Sequence, residues 1–225
     1  MNPEGLVILI SGRGSNAMAL IEASIRGLLP IPVHAVIADR PAPGLGAAAA
    51  TGVDTAVVPR NAFAGRCAFE TALVEAISGY RARLIALAGF MRVLSADFVE
   101  RHAGRMVNIH PSLLPKYRGL DTHARALAAG DIEHGASVHW VTPGLDAGPV
   151  IAQAKLPILD GDNPDVLAAR LLEQEHRLYP AALALLMANS VRDSHEISGE
   201  DRSSEIPPVL DRDFDDYGRW LRTGR

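Results

Sequence analysis

Short, wholly apolar runs alternate with longer stretches of helical periodicity along most of the chain. Strands are predicted over residues 6–10, 33–38, 53–58, 84–88, 106–109, 137–141 and 149–156. Helices are predicted over 17–23, 47–51, 64–78, 96–102, 122–129 and 164–187. The run Leu6-Val7-Ile8-Leu9-Ile10 has no polar face, so both of its sides must be covered. Strands that alternate with helices predict an α/β fold: a doubly wound, mainly parallel sheet with helices on both faces and a Rossmann-like N-terminal half. One domain is expected over 1–189. From Ser190 the chain turns polar and acid-rich, is interrupted by Pro207-Pro208, and keeps one apolar cluster, Tyr217, Trp220 and Leu221. Residues 190–225 are therefore expected as a tail, packed on the surface or partly flexible.

In such sheets ligands bind beyond the carboxyl ends of the strands. The informative turns all fall there, over 12–16, 89–94, 108–119 and 142–148. The first, Ser11-Gly12-Arg13-Gly14-Ser15-Asn16, joins a strand to a helix N-terminus. Free backbone N–H groups and the helix dipole make it an anion site, and Ser15 or Asn16 is placed to cap the helix. Gly12-x-Gly14-x-x-Ala17 also fits the dinucleotide pattern, with Asp39 at the end of the second strand as the ribose-binding acid. That turn alone does not choose between a phosphate and a dinucleotide.

Asn108 and His110 are two apart on a strand that Pro111 ends, so they project from the same face. An amide beside an imidazole suits a reaction that passes through an oxyanion and moves a proton, although either alone reads as a satisfied polar group at a strand end. Asp146 lies in the turn Thr142-Pro143-Gly144-Leu145-Asp146-Ala147-Gly148, where a lone Asp is ordinarily a turn former. Near His110 it would favour the imidazolium and complete an oxyanion-binding, proton-shuttling trio. No Ser or Cys is placed as a nucleophile, which favours direct attack by an amine or water. Residues Gly89-Phe90-Met91-Arg92-Val93-Leu94 read as core under a loop or as one wall of a slot for a flat heterocycle. Glu175, in Gln174-Glu175-His176, reads as a solvated helix face.

Composition narrows the partners. Across 225 residues the net charge is −4, which leaves no basic footprint for nucleic acid. The single cysteine, Cys67, excludes an intrachain disulfide and offers no metal-ligand spacing, consistent with a reducing cytoplasm. The N-terminus has no basic leader, and no apolar run reaches membrane-spanning length, so neither a signal peptide nor a membrane partner is expected.

Taken together, Ser11-Gly12-Arg13-Gly14-Ser15-Asn16, residues 87–94, Asn108-Ile109-His110-Pro111-Ser112-Leu113-Leu114-Pro115-Lys116-Tyr117, residues 135–139, residues 145–151 and Gln174-Glu175-His176 resemble the phosphoribosylglycinamide formyltransferase family of folate-dependent enzymes. The resemblance runs from Leu6 to about Met187. It implies the formyltransferase fold and transfer of a formyl group from 10-formyltetrahydrofolate, as co-substrate, to the amine of glycinamide ribonucleotide, with no metal and in a monomer or homodimer. By the same resemblance Asn108, His110 and Asp146 are catalytic, Gly14, Ser15 and Asn16 hold the phosphate, and Glu175 binds the ribose. Arg66, Met91, Arg92, Val93, Leu94 and Asn108 lie at the folate, and 116–123 forms a mobile loop over the site. Arg118 stands where the family has proline and Asp121 where it often has histidine. Leu172 replaces a polar residue, and the segment after Asn189 lacks the family pattern. Three other readings stay open: a formyltetrahydrofolate hydrolase, an NAD(P)-dependent dehydrogenase built on Gly12 to Ala17 with Asp39, and a non-catalytic nucleotide-binding module.

Overall fold

The structure, a computed structural model, describes residues 4–196. Strand β1 (Gly5–Ile10) is fully covered from Leu6 to Ile10 because its two faces serve two cores. Leu6, Ile8 and Ile10 meet the side chains of α1 (Ser15–Ile25) and α6 (Pro164–Glu196). Val7 and Leu9, pointing the other way, meet α3 (Arg66–Ser78) and α4 (Ala96–Arg101). Each such fully buried aliphatic side chain contributes roughly 1.5–3 kcal/mol, which makes β1 the spine of the domain.

The remaining elements are β2 (Val33–Ala38), α2 (Pro43–Ala49), β3 (Asp54–Val57), a single 3-10 turn at Arg60–Ala62, β4 (Ala82–Leu87), β5 (Met106–His110), α5 (Thr122–Ala128), β6 (Glu133–Trp140) and β7 (Val150–Pro157). The seven strands form one sheet in the order β3-β2-β1-β4-β5-β6-β7. The first five are parallel, and β6 runs antiparallel to both β5 and β7. This is the doubly wound, mainly parallel sheet that the alternation of elements predicts. No helix among the described residues is long and apolar enough to cross a membrane.

Several boundaries differ from expectation, each for a physical reason. Helix α2 starts at Pro43, where the sequence reads as a turn; proline suits a first helical turn, whose N–H has no partner in any case. Strand β6 starts at Glu133, well before 137, because His134 and Gly135 interrupt its apolar pattern. Gly135 is there for clearance. A Cβ at that position would come 2.1 Å from the Ala154 carbonyl oxygen and 2.5 Å from Leu113 Cδ2. Helix α6 continues past the expected end at 187 to Glu196, so the polar segment expected from 190 begins as helix; residues 197–225 lie outside the described residues.

One contact ties α6 to the sheet beneath the site. Tyr179 is fully buried, and its hydroxyl lies 3.0 Å from the Leu87 carbonyl oxygen and 3.2 Å from that of Val107. One proton thus serves two carbonyls, at the point where the loop after β4 and the polar end of β5 diverge. Burial raises this hydroxyl well above the usual tyrosine range, so it stays a donor. Tyr179→Phe strands both carbonyls without filling their need, and a loss of about 1–3 kcal/mol is expected from denaturant melts.

Candidate active site

The strand order reverses between β1 and β4, and the crevice of a doubly wound sheet opens at such a point. The turn after β1 meets it first. Gly14, at φ 72°, is the N-cap of α1, a left-handed position that glycine adopts without strain. It also lies against α2: a Cβ on Gly44 would come 2.9 Å from the Arg13 carbonyl oxygen. Neither Ser15 nor Asn16 caps α1, contrary to expectation. Ser15 is already the first helical residue, past the position from which a side chain can reach the open N–H groups. Those first-turn N–H groups are therefore left to an anion. Asn16 Nδ2 instead donates to Glu175 Oε2 at 2.7 Å, while Asn16 Oδ1 is buried without a partner. Glu175 is thus a buried carboxyl at the crevice and not a solvated helix face. Burial raises its pKa, opposed by the Asn16 hydrogen bond.

Asn108, His110 and Asp146 come together. His110 Nδ1 lies 3.4 Å from Asp146 Oδ2, a charge contact longer than a good hydrogen bond. His110 Nε2 meets the Tyr117 carbonyl at 2.9 Å. Asp146, at φ 45°, also accepts from Gly119 N–H at 2.9 Å. A cavity beside β5 is walled by Leu87, Phe90, Arg92, Val93, Leu94 and Asn108, and across from them by His139 and 141–146. Asn108 and Asp146 are on this wall; His110 is buried outside it. Of residues 89–94, Phe90, Arg92, Val93 and Leu94 line this cavity. Met91 does not: it is 62% exposed, and its N–H is held by Ser11 Oγ at 2.9 Å. Arg66 opens α3, exposed and away from the wall.

His139 is the residue that sequence reasoning did not assign. Strand pairing sets it opposite Asn108. Its Nδ1 must donate to the Trp140 carbonyl at 2.9 Å, and burial lowers its pKa, so Nε2 is an acceptor for Asn108 Nδ2 at 3.1 Å. The Asn108 amide is thereby oriented, with its second N–H free. No sequence signal carries a cross-strand register of this kind.

The segment 116–123 is held against the site. Lys116 Nζ and Tyr117 OH meet Asp131 at 3.0 Å and 2.8 Å. Arg125 donates to the Arg118 and Leu120 carbonyls at 2.7 Å and 3.2 Å. Below it His134 Nε2 lies 3.0 Å from His123 Nδ1. Burial lowers the pKa of both, and His134, further lowered by the charge on His123, falls from 6.5 to about 4. Among the described residues, no group of three or more His, Cys, Asp or Glu could hold a metal ion.

The chain is similar to known proteins of one family. Residues 5–183 match the family model described as formyl transferase. The chain is 44% identical over 204 residues to phosphoribosylglycinamide formyltransferase of Escherichia coli, spanning 90% of this chain and 96% of that protein. The solved phosphoribosylglycinamide formyltransferase of Coxiella burnetii is 49% identical, with TM-score 0.79 over 84% of this chain and 89% of that one. The Brucella melitensis structure is 45% identical, with TM-score 0.79 over 90% and 100%.

Two pH effects follow from these groups. A His whose folded pKa is lowered supplies stability above its unfolded value of 6.5, and that stability is lost as pH falls toward about 4. Melts of wild type against His134→Gln should show a flatter pH slope for the variant in that window. Glu175 has the opposite sign: with its folded pKa raised, its contribution is full below 4.5 and is lost as pH rises through the folded value. Glu175→Gln should therefore be the more stable protein at neutral pH, a gain that shrinks on acidification.

Proposed function

The chain belongs to the formyl transferase family, and on that premise we propose that it moves a formyl group from 10-formyltetrahydrofolate to the amine of glycinamide ribonucleotide, in cytoplasmic purine biosynthesis. The observation that carries this reading is the cluster of Asn108, His110 and Asp146 beside a cavity, in a crevice that also holds an uncapped helix N-terminus. The phosphate of the ribonucleotide takes the free N–H groups after Gly14. The ribose hydroxyls donate to Glu175. The pterin ring lies along 92–94, whose backbone groups form no backbone–backbone hydrogen bond among the described residues. A folate tail that reached Arg66 would do so outside the cavity.

The amine attacks the formyl carbon directly, and the carbonyl oxygen becomes the oxyanion of a tetrahedral intermediate. The free N–H of Asn108 and the Nε2–H of a protonated His110 stabilise that oxyanion. In the resting arrangement the Tyr117 carbonyl occupies His110 Nε2, so the substrate oxygen takes that carbonyl's place and 116–119 must shift. Asp146 balances the imidazolium charge and, through a water, passes the proton lost by the amine to the leaving nitrogen as the carbon–nitrogen bond breaks. Gly14 to Asn16 favour this reading over hydrolysis, since water as acceptor needs no phosphate turn.

Single changes Asn108→Ala and His110→Ala should each lower formyl transfer by about 100- to 1,000-fold. Near wild-type rates in a folded variant would sink the assignment. Release of formate without any ribonucleotide would favour hydrolysis instead.

A further inference from the structure

Asp39 is a charged residue that neither the proposed chemistry nor the anion turn uses. It follows β2, and its carboxylate is completely buried. Three side chains converge on it. Arg92 Nε donates at 2.5 Å and Arg40 donates at 3.2 Å and 3.1 Å, while the Ser11 hydroxyl also favours the charged form. Burial pushes the carboxyl up, but Arg40, Ser11 and Arg92 together outweigh it and hold the pKa below its usual range. The Arg40 side chain is 49% exposed, so its pair is the weakly contributing kind. Arg92 is different, because it lines the cavity, and Ser11 holds the same loop by its backbone.

Ser11 ends β1, between β2 and β4. Its N–H donates to the Gly89 carbonyl at 3.1 Å, and its hydroxyl oxygen accepts from Met91 N–H at 2.9 Å. The loop after β4 is therefore held at Gly89 and Met91 by Ser11 and at the Arg92 side chain by Asp39. The Asp39 oxygens are already engaged by Arg40 and Arg92, so the dinucleotide reading of Gly12 to Ala17 loses its acid.

We propose that Asp39 is a positioning residue for the folate: through the Arg92 side chain it fixes the course of 89–94, the wall on which the pterin ring lies. This rests on the formyl-transfer reading for the ligand, but not for the hold on the loop. Asp39 touches no reacting atom, so its loss acts on folate binding and not on the chemical step.

Asp39→Asn keeps the shape and removes the charge. In folded variant the KM for 10-formyltetrahydrofolate should rise about tenfold or more, the size of a lost charged hydrogen bond. The KM for the ribonucleotide and kcat at saturating folate should stay within about twofold of wild type. Arg92 lines the cavity itself, so Arg92→Gln is read by amide hydrogen exchange over 89–92, which should quicken; the double variant should exchange no faster than the faster single, since both remove one interaction. Amide hydrogen exchange over 89–92 should quicken in Asp39→Asn. Folate KM and exchange both unchanged in a folded variant, or additive effects in the double, would overturn the proposal. If wild type transfers no formyl group to the ribonucleotide, the functional reading fails, and hydrogen exchange alone then decides whether Asp39 holds the loop. If Asp39→Asn does not fold, Arg92→Gln, at a side chain 35% exposed, decides by exchange over 89–92 alone: unchanged exchange overturns the proposal.

Discussion

The pairing of β5 with β6 is the constraint on which the candidate site depends. Strand β5 is parallel to β4 on one edge and antiparallel to β6 on the other. The reversal sets Asn108 opposite His139 and His110 opposite Ser137, and the chain after β6 then returns Asp146 to within 3.4 Å of His110. Slipping this register by one residue would turn Asn108 and His110 to the other face together. Ser137 guards against the slip: its hydroxyl donates to the Ser112 carbonyl at 2.6 Å and accepts from Leu114 N–H at 3.0 Å. Gln153 on β7 donates to the same hydroxyl at 2.8 Å. The turn after His110 is thus bound to two strands, which keeps the imidazole in place even though its own hydrogen bond runs to a loop carbonyl.

The site also shows how a sheet made of local units acquires long-range precision. The turn after β1, the loop after β4 and the polar end of β5 come from three different strand ends. Single side chains join them: Ser11 links the first to the second, and Tyr179 links the second to the third. Each joining group is buried and fully engaged, so each resists displacement more than an exposed pair would.

Much of this was legible in the sequence, for identifiable reasons. Period-2 and all-apolar runs announce strands, and glycine and proline mark the turns that carry function. Alternation alone placed Asn108 and His110 on one face. What could not be read depends on pairing between distant segments. The donor to Glu175 is Asn16, on a helix far away in the chain, and nothing in Glu173-Gln174-Glu175-His176 announces that partner. Met91 faces away from the cavity that Phe90 lines while Ser11 holds its backbone N–H, a contact without sequence pattern. Asp39 shows the opposite failure. Its position fits a nucleotide pattern, and only the neighbours that occupy its oxygens reveal that it serves the loop.

The hydrogen bond between Asn108 and His139 has a consequence for the proton inventory of the site. With Nδ1–H committed to the Trp140 carbonyl, the only face His139 can offer is a lone pair. An aspartate at 108, the same size as the amide, would set a carboxylate oxygen against that lone pair, and the two would repel until His139 took up a second proton. The amide at this position therefore sets a neutral donor beside a ring that burial keeps neutral. An isosteric exchange would not merely remove a donor; it would import a buried ion pair into the place where the reaction builds its own charge.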